Sequence, residues 1–219
     1  MPGQRSFRRI LVLVPAAASL LLVALSASEA DAAHTISTAV PAASSVGQPI
    51  TAYVANSGSD TVTPIRTATN KAGKAIQAGG GPYAVAITPN GQTAYVTNSW
   101  SNTVTPIDTA TNTVVKTITV GTGPQGIAIT PDGKAAYVTN ITSGTVTSIR
   151  TATNAVVKTI TVKMDPYAIA ITPDGKTVYV ASLGTGIGSG TVTSIRTATD
   201  TVVKRFAVGN DPFAIAITP

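Results

Sequence analysis

Few side chains in this 219-residue chain are equipped for chemistry, and their positions narrow what it can do. His34 is the sole histidine, Glu29 is the sole glutamate, and there is no cysteine. A Ser-His-Asp or Cys-His nucleophile needs an imidazole beside it, and a zinc site needs several His or Cys ligands, so neither can be assembled. Serines are plentiful, but no Gly-x-Ser-x-Gly elbow occurs. Gly79-Gly80-Gly81 lacks the lysine and following helix of a phosphate loop and reads as a turn. Aspartate is the remaining carboxylate. Asp132 and Asp174 fall in Pro-Asp-Gly turns, where the side chain bonds its own backbone. Asp165 and Asp211 each precede a proline and stand where other parts of the chain have Gly81 and Gly123. They form a candidate carboxylate pair at one mouth of a channel. Calcium would need about six or more oxygen ligands, and no dense Asp loop is present. No metal, cofactor or catalytic residue is expected, and the chain reads as a non-enzyme.

Candidate ligand contacts are clearer than candidate catalysts. Tyr83, Tyr167 and Phe213 follow Pro82, Pro166 and Pro212, with Gln125 in the equivalent place after Pro124. This pattern puts them at a channel mouth. Trp100 occurs once, in the loop Asn98-Ser99-Trp100-Ser101-Asn102. Exposed, it suits a sugar or a base; buried, it is packing, and both readings stand. Arg66, Arg150 and Arg196 recur at one repeat position, either as a local basic ring or as decoration of a solvated loop.

The elements that position these residues are repeated. Pro82-Tyr83-Ala84-Val85-Ala86-Ile87-Thr88-Pro89 returns at Pro124, Pro166 and Pro212, in steps of 42, 42 and 46 residues. Tyr53-Val54-Ala55-Asn56 returns at Tyr95, Tyr137 and Tyr179, and Thr61-Val62-Thr63 at Thr103, Thr145 and Thr191. The four extra residues of the last step fall in the glycine-rich stretch 183–190, as insertions in loops do. Each period holds four strand signals: in the second, Ala84 to Thr88, Thr93 to Thr97, Thr103 to Asp108 and Val114 to Val120. Asn-Gly and Asp-Gly after proline supply the positive φ of tight hairpins, so consecutive strands are antiparallel neighbours. A four-stranded unit of about 40–45 residues with two apolar faces is a propeller blade, which buries both faces against its neighbours. Small residues such as Ala84, Ala86, Gly126 and Ala128 suit an inner strand, where blades converge. The fold class is all-β, a β-propeller of four-stranded antiparallel blades with four blade equivalents.

Tyr95-Val96-Thr97-Asn98, with Thr103-Val104-Thr105, Thr109-Ala110-Thr111-Asn112 and Pro131-Asp132-Gly133, resembles the YVTN family of β-propeller repeats of bacterial and archaeal extracellular and surface-layer proteins. The resemblance spans residues 51–219. It implies an Asp at the end of the third strand, as at Asp108, where Arg66, Arg150 and Arg196 depart from it. It also implies rings that commonly close with seven blades. Here the chain enters its repeat at a second strand near Ala52, and Phe213 to Thr218 carries a first strand that would complete that blade. A closed four-bladed ring, a fragment of a larger seven-bladed propeller, and self-association to complete a larger ring are the three outcomes. Related propellers include lactonase-like and quinoprotein-like enzymes.

Arg5, Arg8 and Arg9, the apolar run Ile10 to Leu25 and Ala30-Asp31-Ala32 have the layout of a secretory signal over 1–32. Arg8-Arg9 hints at twin-arginine export. Residues 33–50 read as an Ala/Ser/Pro-rich linker, within which Val40 to Gly47 resembles a decayed first strand. Beyond residue 32, twelve Lys/Arg face seven Asp, a net charge of +5 spread through the repeats rather than clustered. No membrane span is expected after the leader. The expectation is a secreted or cell-surface module that binds an extracellular or cell-wall ligand or protein. A binder of single-stranded nucleic acid or an anionic wall polymer through the arginines is the alternative.

Overall fold

The Thr/Val/Ile-rich segments of each repeat pack well on a pleated surface and poorly in a helix, and they form strands throughout. In the computed structural model, which describes residues 50–184 and 190–219, four antiparallel sheets follow one another along the chain. The leader, the linker up to residue 49 and residues 185–189 of the glycine-rich insertion lie outside the described residues.

The first sheet contains β1 (Thr51–Asn56), β2 (Thr61–Arg66), β3 (Lys71–Ala72) and β4 (Ile76–Gln77). The second contains β5 (Pro82–Ile87), β6 (Thr93–Asn98), β7 (Thr103–Asp108), β8 (Thr113–Val114) and β9 (Ile118–Thr119). The third contains β10 (Pro124–Ile129), β11 (Ala135–Asn140), β12 (Thr145–Arg150) and β13 (Ala155–Thr161). The fourth contains β14 (Pro166–Ile171), β15 (Thr177–Ser182), β16 (Thr191–Arg196) and β17 (Thr201–Ala207). Each is an up-and-down meander, as the turn signals predict.

The outer strand is continuous in the third and fourth sheets but split into two stubs in the first and second. The expected strand Val114 to Val120 is therefore two short pieces, both on β7. The sequence difference is one residue in the third strand. Pro64 and Pro106 stand where Ser148 and Ser194 do, and proline has no N–H to give a neighbouring strand. Beside each proline the outer chain swings away and returns, held by Gly73 N–H to Pro64 O at 2.7 Å and Val115 N–H to Pro106 O at 2.9 Å.

The apolar cores lie between sheets rather than within them. Val62 and Ile76 of the first sheet pack with Ala94, Val96 and Ile107 of the second. Ala84, Tyr95 and Val104 of the second pack with Ile127, Val138 and Ile149 of the third. Tyr137, Val146 and Ile160 of the third pack with Val178, Val180 and Ile195 of the fourth. The second and third sheets are covered on both faces in this way, which is the packing of propeller blades. Inner strands approach closely, as their small residues predict: a Cβ on Gly126 would lie 2.7 Å from the Tyr167 carbonyl oxygen of the next blade.

The first blade differs from expectation at its inner edge. Among the described residues β1 is hydrogen-bonded to β2 alone, and Phe213 to Thr218, expected to complete that blade, forms no strand. Successive sheets touch in chain order, β1 on β5, β5 on β10 and β10 on β14. No helix among the described residues is long and apolar enough to cross a membrane.

Candidate functional site

Every blade presents two ends to solvent. Inner strands begin at one, with Pro82, Pro124 and Pro166 beside the last residues of the second strands, Asn98, Asn140 and Ser182. The Pro-Asn-Gly and Pro-Asp-Gly turns occupy the other.

The entry end gathers the aromatic candidates. Tyr83 and Tyr167, from the second and fourth blades, share a hydroxyl–hydroxyl hydrogen bond, their rings edge to face at 6.3 Å between centroids. Phe213 packs edge to face on Tyr167 at 5.3 Å. Gln125, the equivalent residue of the third blade, leaves its side-chain oxygen buried without a partner. Trp100 is 71% exposed, which decides between its two sequence readings in favour of the surface. Its backbone N–H donates to Gly80 O at 3.0 Å, and its indole covers Gly81. Gly81 has φ +63°, and a Cβ there would lie 2.7 Å from the ring, so glycine suits this position on both counts. The indole thus lies at the base of the Pro82-Tyr83 strand, at the same end as the three-ring cluster. Edge-to-face contacts of this kind hold ring orientations and leave faces available for stacking.

Asp165 and Asp211 take backbone positions that glycine fills elsewhere. Their φ values are +53° and +48°, against +63° at Gly81 and +68° at Gly123. Asp165 O accepts Leu183 N–H at 3.0 Å, just as Gly81 O accepts Ser99 N–H at 2.8 Å. Aspartate tolerates this left-handed region better than most residues, which accounts for its presence here. Among the described residues no three His, Cys, Asp or Glu side chains come together in a group that could hold a metal ion.

The arginines lie at the other end. Arg66, Arg150 and Arg196 are exposed and close the third strands opposite Thr51, Ala135 and Thr177. Asp108, in the same place, accepts both the N–H and the hydroxyl of Thr111 at 2.8 Å, which holds its carboxyl below the usual range. Asp132 and Asp174 act likewise within their turns, as the sequence predicts: the Thr130 hydroxyl and Lys134 N–H bond Asp132, and the Thr172 hydroxyl and Lys176 N–H bond Asp174. These bonds depress both carboxyls, those from the threonine hydroxyls most. An open groove of about 550 Å³ lies at this end between the third and fourth blades, lined by Asp132, Lys134, Tyr137 and Asp174 among others. The candidate contacts are therefore divided: aromatics at one end, arginines at the other.

Two polar devices recur through the structure, one between blades and one within each blade. Tyr53, Tyr95 and Tyr137 each donate their hydroxyl to the next blade, to Asn112 Oδ1 at 2.7 Å, Asn154 Oδ1 at 2.6 Å and Asp200 Oδ1 at 2.6 Å. All three acceptors have left-handed backbone, as does Asn70, their counterpart in the first blade. Burial pushes the Tyr95 hydroxyl up to about 12, and burial together with the Asp200 contact raises Tyr137 as well. The recurring offset, 59 positions for Tyr53–Asn112 and Tyr95–Asn154 and 63 for Tyr137–Asp200 across the insertion, was the available signal. In the second device, Asn98 Nδ2 bridges Thr103 Oγ1 at 3.0 Å and Thr105 Oγ1 at 2.8 Å, and Asn140 and Asn56 do the same in their blades.

Comparison with known proteins agrees with this architecture. A search of curated proteins found no match. Among solved structures, the chain is similar to Kuenenia stuttgartiensis hydrazine synthase, with 31% identity and a TM-score of 0.70 over 73% of this chain and 46% of that one. It is also similar in fold to a functionally unknown protein from Desulfotomaculum acetoxidans, with 23% identity and a TM-score of 0.57 over 74% of this chain and 58% of that one. The chain thus spans less than two thirds of either structure. Over residues 95–218 it matches the model of the YNCE-like β-propellers, and with its blade-on-blade cores and repeated tyrosine contacts the chain belongs to that family.

Proposed function

We propose that this propeller is exported, carries repeats of the YVTN type, and acts outside the cell or at its surface as a non-enzymatic binding module, with its ligand seated on the aromatic entry end. The observation that carries the reading is Trp100, 71% exposed yet laid on Gly81 at the end that also gathers Tyr83, Tyr167 and Phe213. A rigid exposed indole beside further rings is a stacking platform, and a ligand with a flat, partly apolar face such as a sugar ring is its simplest partner. Export is supported by the basic, apolar and small-residue order of the first 32 residues. The non-enzymatic reading is supported by the single histidine and the missing cysteine. The likeness to a hydrazine synthase covers under half of that chain and supports the scaffold rather than its chemistry.

Trp100 is the sole tryptophan, so its fluorescence reports directly on this face. Titration with soluble cell-wall oligosaccharides is expected to quench or shift its emission, and Trp100→Ala should abolish binding while the sheet circular dichroism is kept. A salt-sensitive association with an anionic polymer, lost in the Arg66→Ala/Arg150→Ala/Arg196→Ala variant and silent in Trp100 emission, would replace this reading with the polymer-binding one. Turnover of a lactone or sugar by metal-loaded protein would replace it with an enzymatic one.

A further inference from the structure

The sequence holds a single Asn-Gly pair, Asn90-Gly91, where the third and fourth blades have Asp132-Gly133 and Asp174-Gly175. An asparagine followed by glycine is chemically exposed, because no side chain shields the glycine nitrogen from the amide carbon before it. Both residues lie at the surface, and nothing stands within 4 Å of the place a Cβ would take at Gly91. Water therefore reaches this turn.

Folding nevertheless ties down both reacting groups. Gly91 N–H donates to Thr88 O at 2.7 Å, and Gly91 O accepts the Thr109 hydroxyl at 2.6 Å. Asn90 Oδ1 accepts the Thr88 hydroxyl at 2.7 Å and the Gln92 N–H at 3.0 Å. Its amide nitrogen donates to Gln92 Oε1 at 2.9 Å. The same frame surrounds the two aspartates. Gly133 and Gly175 each donate to a threonine carbonyl at 2.8 Å and accept a threonine hydroxyl, from Thr151 at 2.6 Å and from Thr197 at 2.7 Å. Asp132 and Asp174 accept the same two donors that Asn90 does, a threonine hydroxyl at 2.6 Å and an N–H at 3.0 Å. The position two residues on changes with them: Lys134 and Lys176 lie 3.6 Å from their aspartates, whereas Asn90 has the neutral Gln92. This turn accepts an amide or a carboxylate without altering its backbone bonds.

We propose that Asn90-Gly91 is a deamidation site held shut by its own hairpin, reacting when this turn opens locally and yielding an aspartate that rebuilds it. The Gly91 nitrogen gives up its proton and bonds to Asn90 Cγ. The Cγ–Nδ2 bond breaks, and ammonia leaves with that proton. Water then adds to the cyclic imide. Opening on the side-chain side returns an aspartate at position 90, equivalent to Asp132 and Asp174. Opening on the main-chain side gives isoaspartate, which adds a carbon to the backbone and breaks the Gly91–Thr88 bond. Water is the one co-reactant. In the closed turn the first step is blocked, since the attacking N–H and the amide carbonyl are both engaged. The inference is independent of which ligand the aromatic end takes.

The full chain is incubated at mildly alkaline pH with and without urea, then digested at acid pH and mapped by mass spectrometry. The peptide containing Asn90 is expected to convert to Asp and isoAsp in urea and at least about tenfold more slowly when folded. Thr109→Val, which removes the hydroxyl bond to Gly91, should raise the folded-state rate about threefold to tenfold. Thr151→Val removes the corresponding bond one blade on and should leave the Asn90 rate unchanged, which separates local opening from general loss of stability. Asn90→Asp should unfold at an unchanged urea midpoint. Equal or faster conversion in the folded chain overturns the proposal, as does no conversion in urea. So does a Thr109→Val rate that stays at the unsubstituted value or is matched by Thr151→Val, or a lowered midpoint for Asn90→Asp.

Discussion

The fourth blade departs from the others at two residues that touch across a blade interface, and the departure makes a quantitative test. Ser182 stands where Asn56, Asn98 and Asn140 each bridge two threonines. Too short to reach, it leaves its own hydroxyl and those of Thr191 and Thr193 buried without partners. At the repeat position of Gly79 and Gly121, the glycines set against Asn98 and Asn140, the chain before the fourth blade has Lys163. Asn98 and Asn140 thus each stand against a glycine that leaves them room. Ser182→Asn alone should meet the Lys163 Cβ at the 2.7–2.8 Å that a Cβ at Gly121 or Gly79 would show. Such overpacking costs about 1–3 kcal/mol, enough to cancel the new bonds. Lys163→Gly alone should cost about 0.5–1 kcal/mol through backbone entropy. Together they install two hydrogen bonds of about 1 kcal/mol each, for a net gain of about 1–2 kcal/mol and a Tm higher by about 5 °C. Urea unfolding of the four proteins at one protein concentration, followed by circular dichroism, completes the cycle. Coupling of about 2 kcal/mol is expected. Coupling below about 0.5 kcal/mol, or a Ser182→Asn protein as stable as the double variant, would refute the steric link between the two sites.

Two further outcomes follow from the same geometry. Tyr95 is nearly fully buried and its hydroxyl is raised from 10.0 to about 12, so the folded state keeps a proton that the unfolded state releases. Its contribution is complete below pH 10 and is lost as pH rises through about 12; Tyr95→Phe should cost about 1 kcal/mol at neutral pH and flatten the alkaline fall in unfolding free energy measured across that window. Replacing Pro106 with Ser restores an N–H to the third strand of the second blade, and hydrogen exchange should then show protection running unbroken from Thr113 to Thr119, as is expected along the continuous strand β13; two separately protected stubs would count against the proline explanation.

Sequence alone determined the class, the strand order, the turns and the poverty of catalytic groups. Those features rest on alternation of β-branched residues and on Gly and Pro geometry, which act over a few neighbouring residues and repeat visibly in steps of 42, 42 and 46 positions. Asp132 and Asp174 were legible as turn caps for the same reason, because their partners lie within two residues. Tertiary structure decided everything that depends on how one sheet turns against the next. The Tyr95–Asn154 bond spans 59 positions and exists only because two blades meet at a particular angle. Exposure of Trp100 and separation of the arginines from the aromatic end have the same origin. That angle is set by side-chain volumes summed over a whole interface, from Gly126 against Tyr167 to Ile107 against Val62, and no local pattern in the chain encodes it.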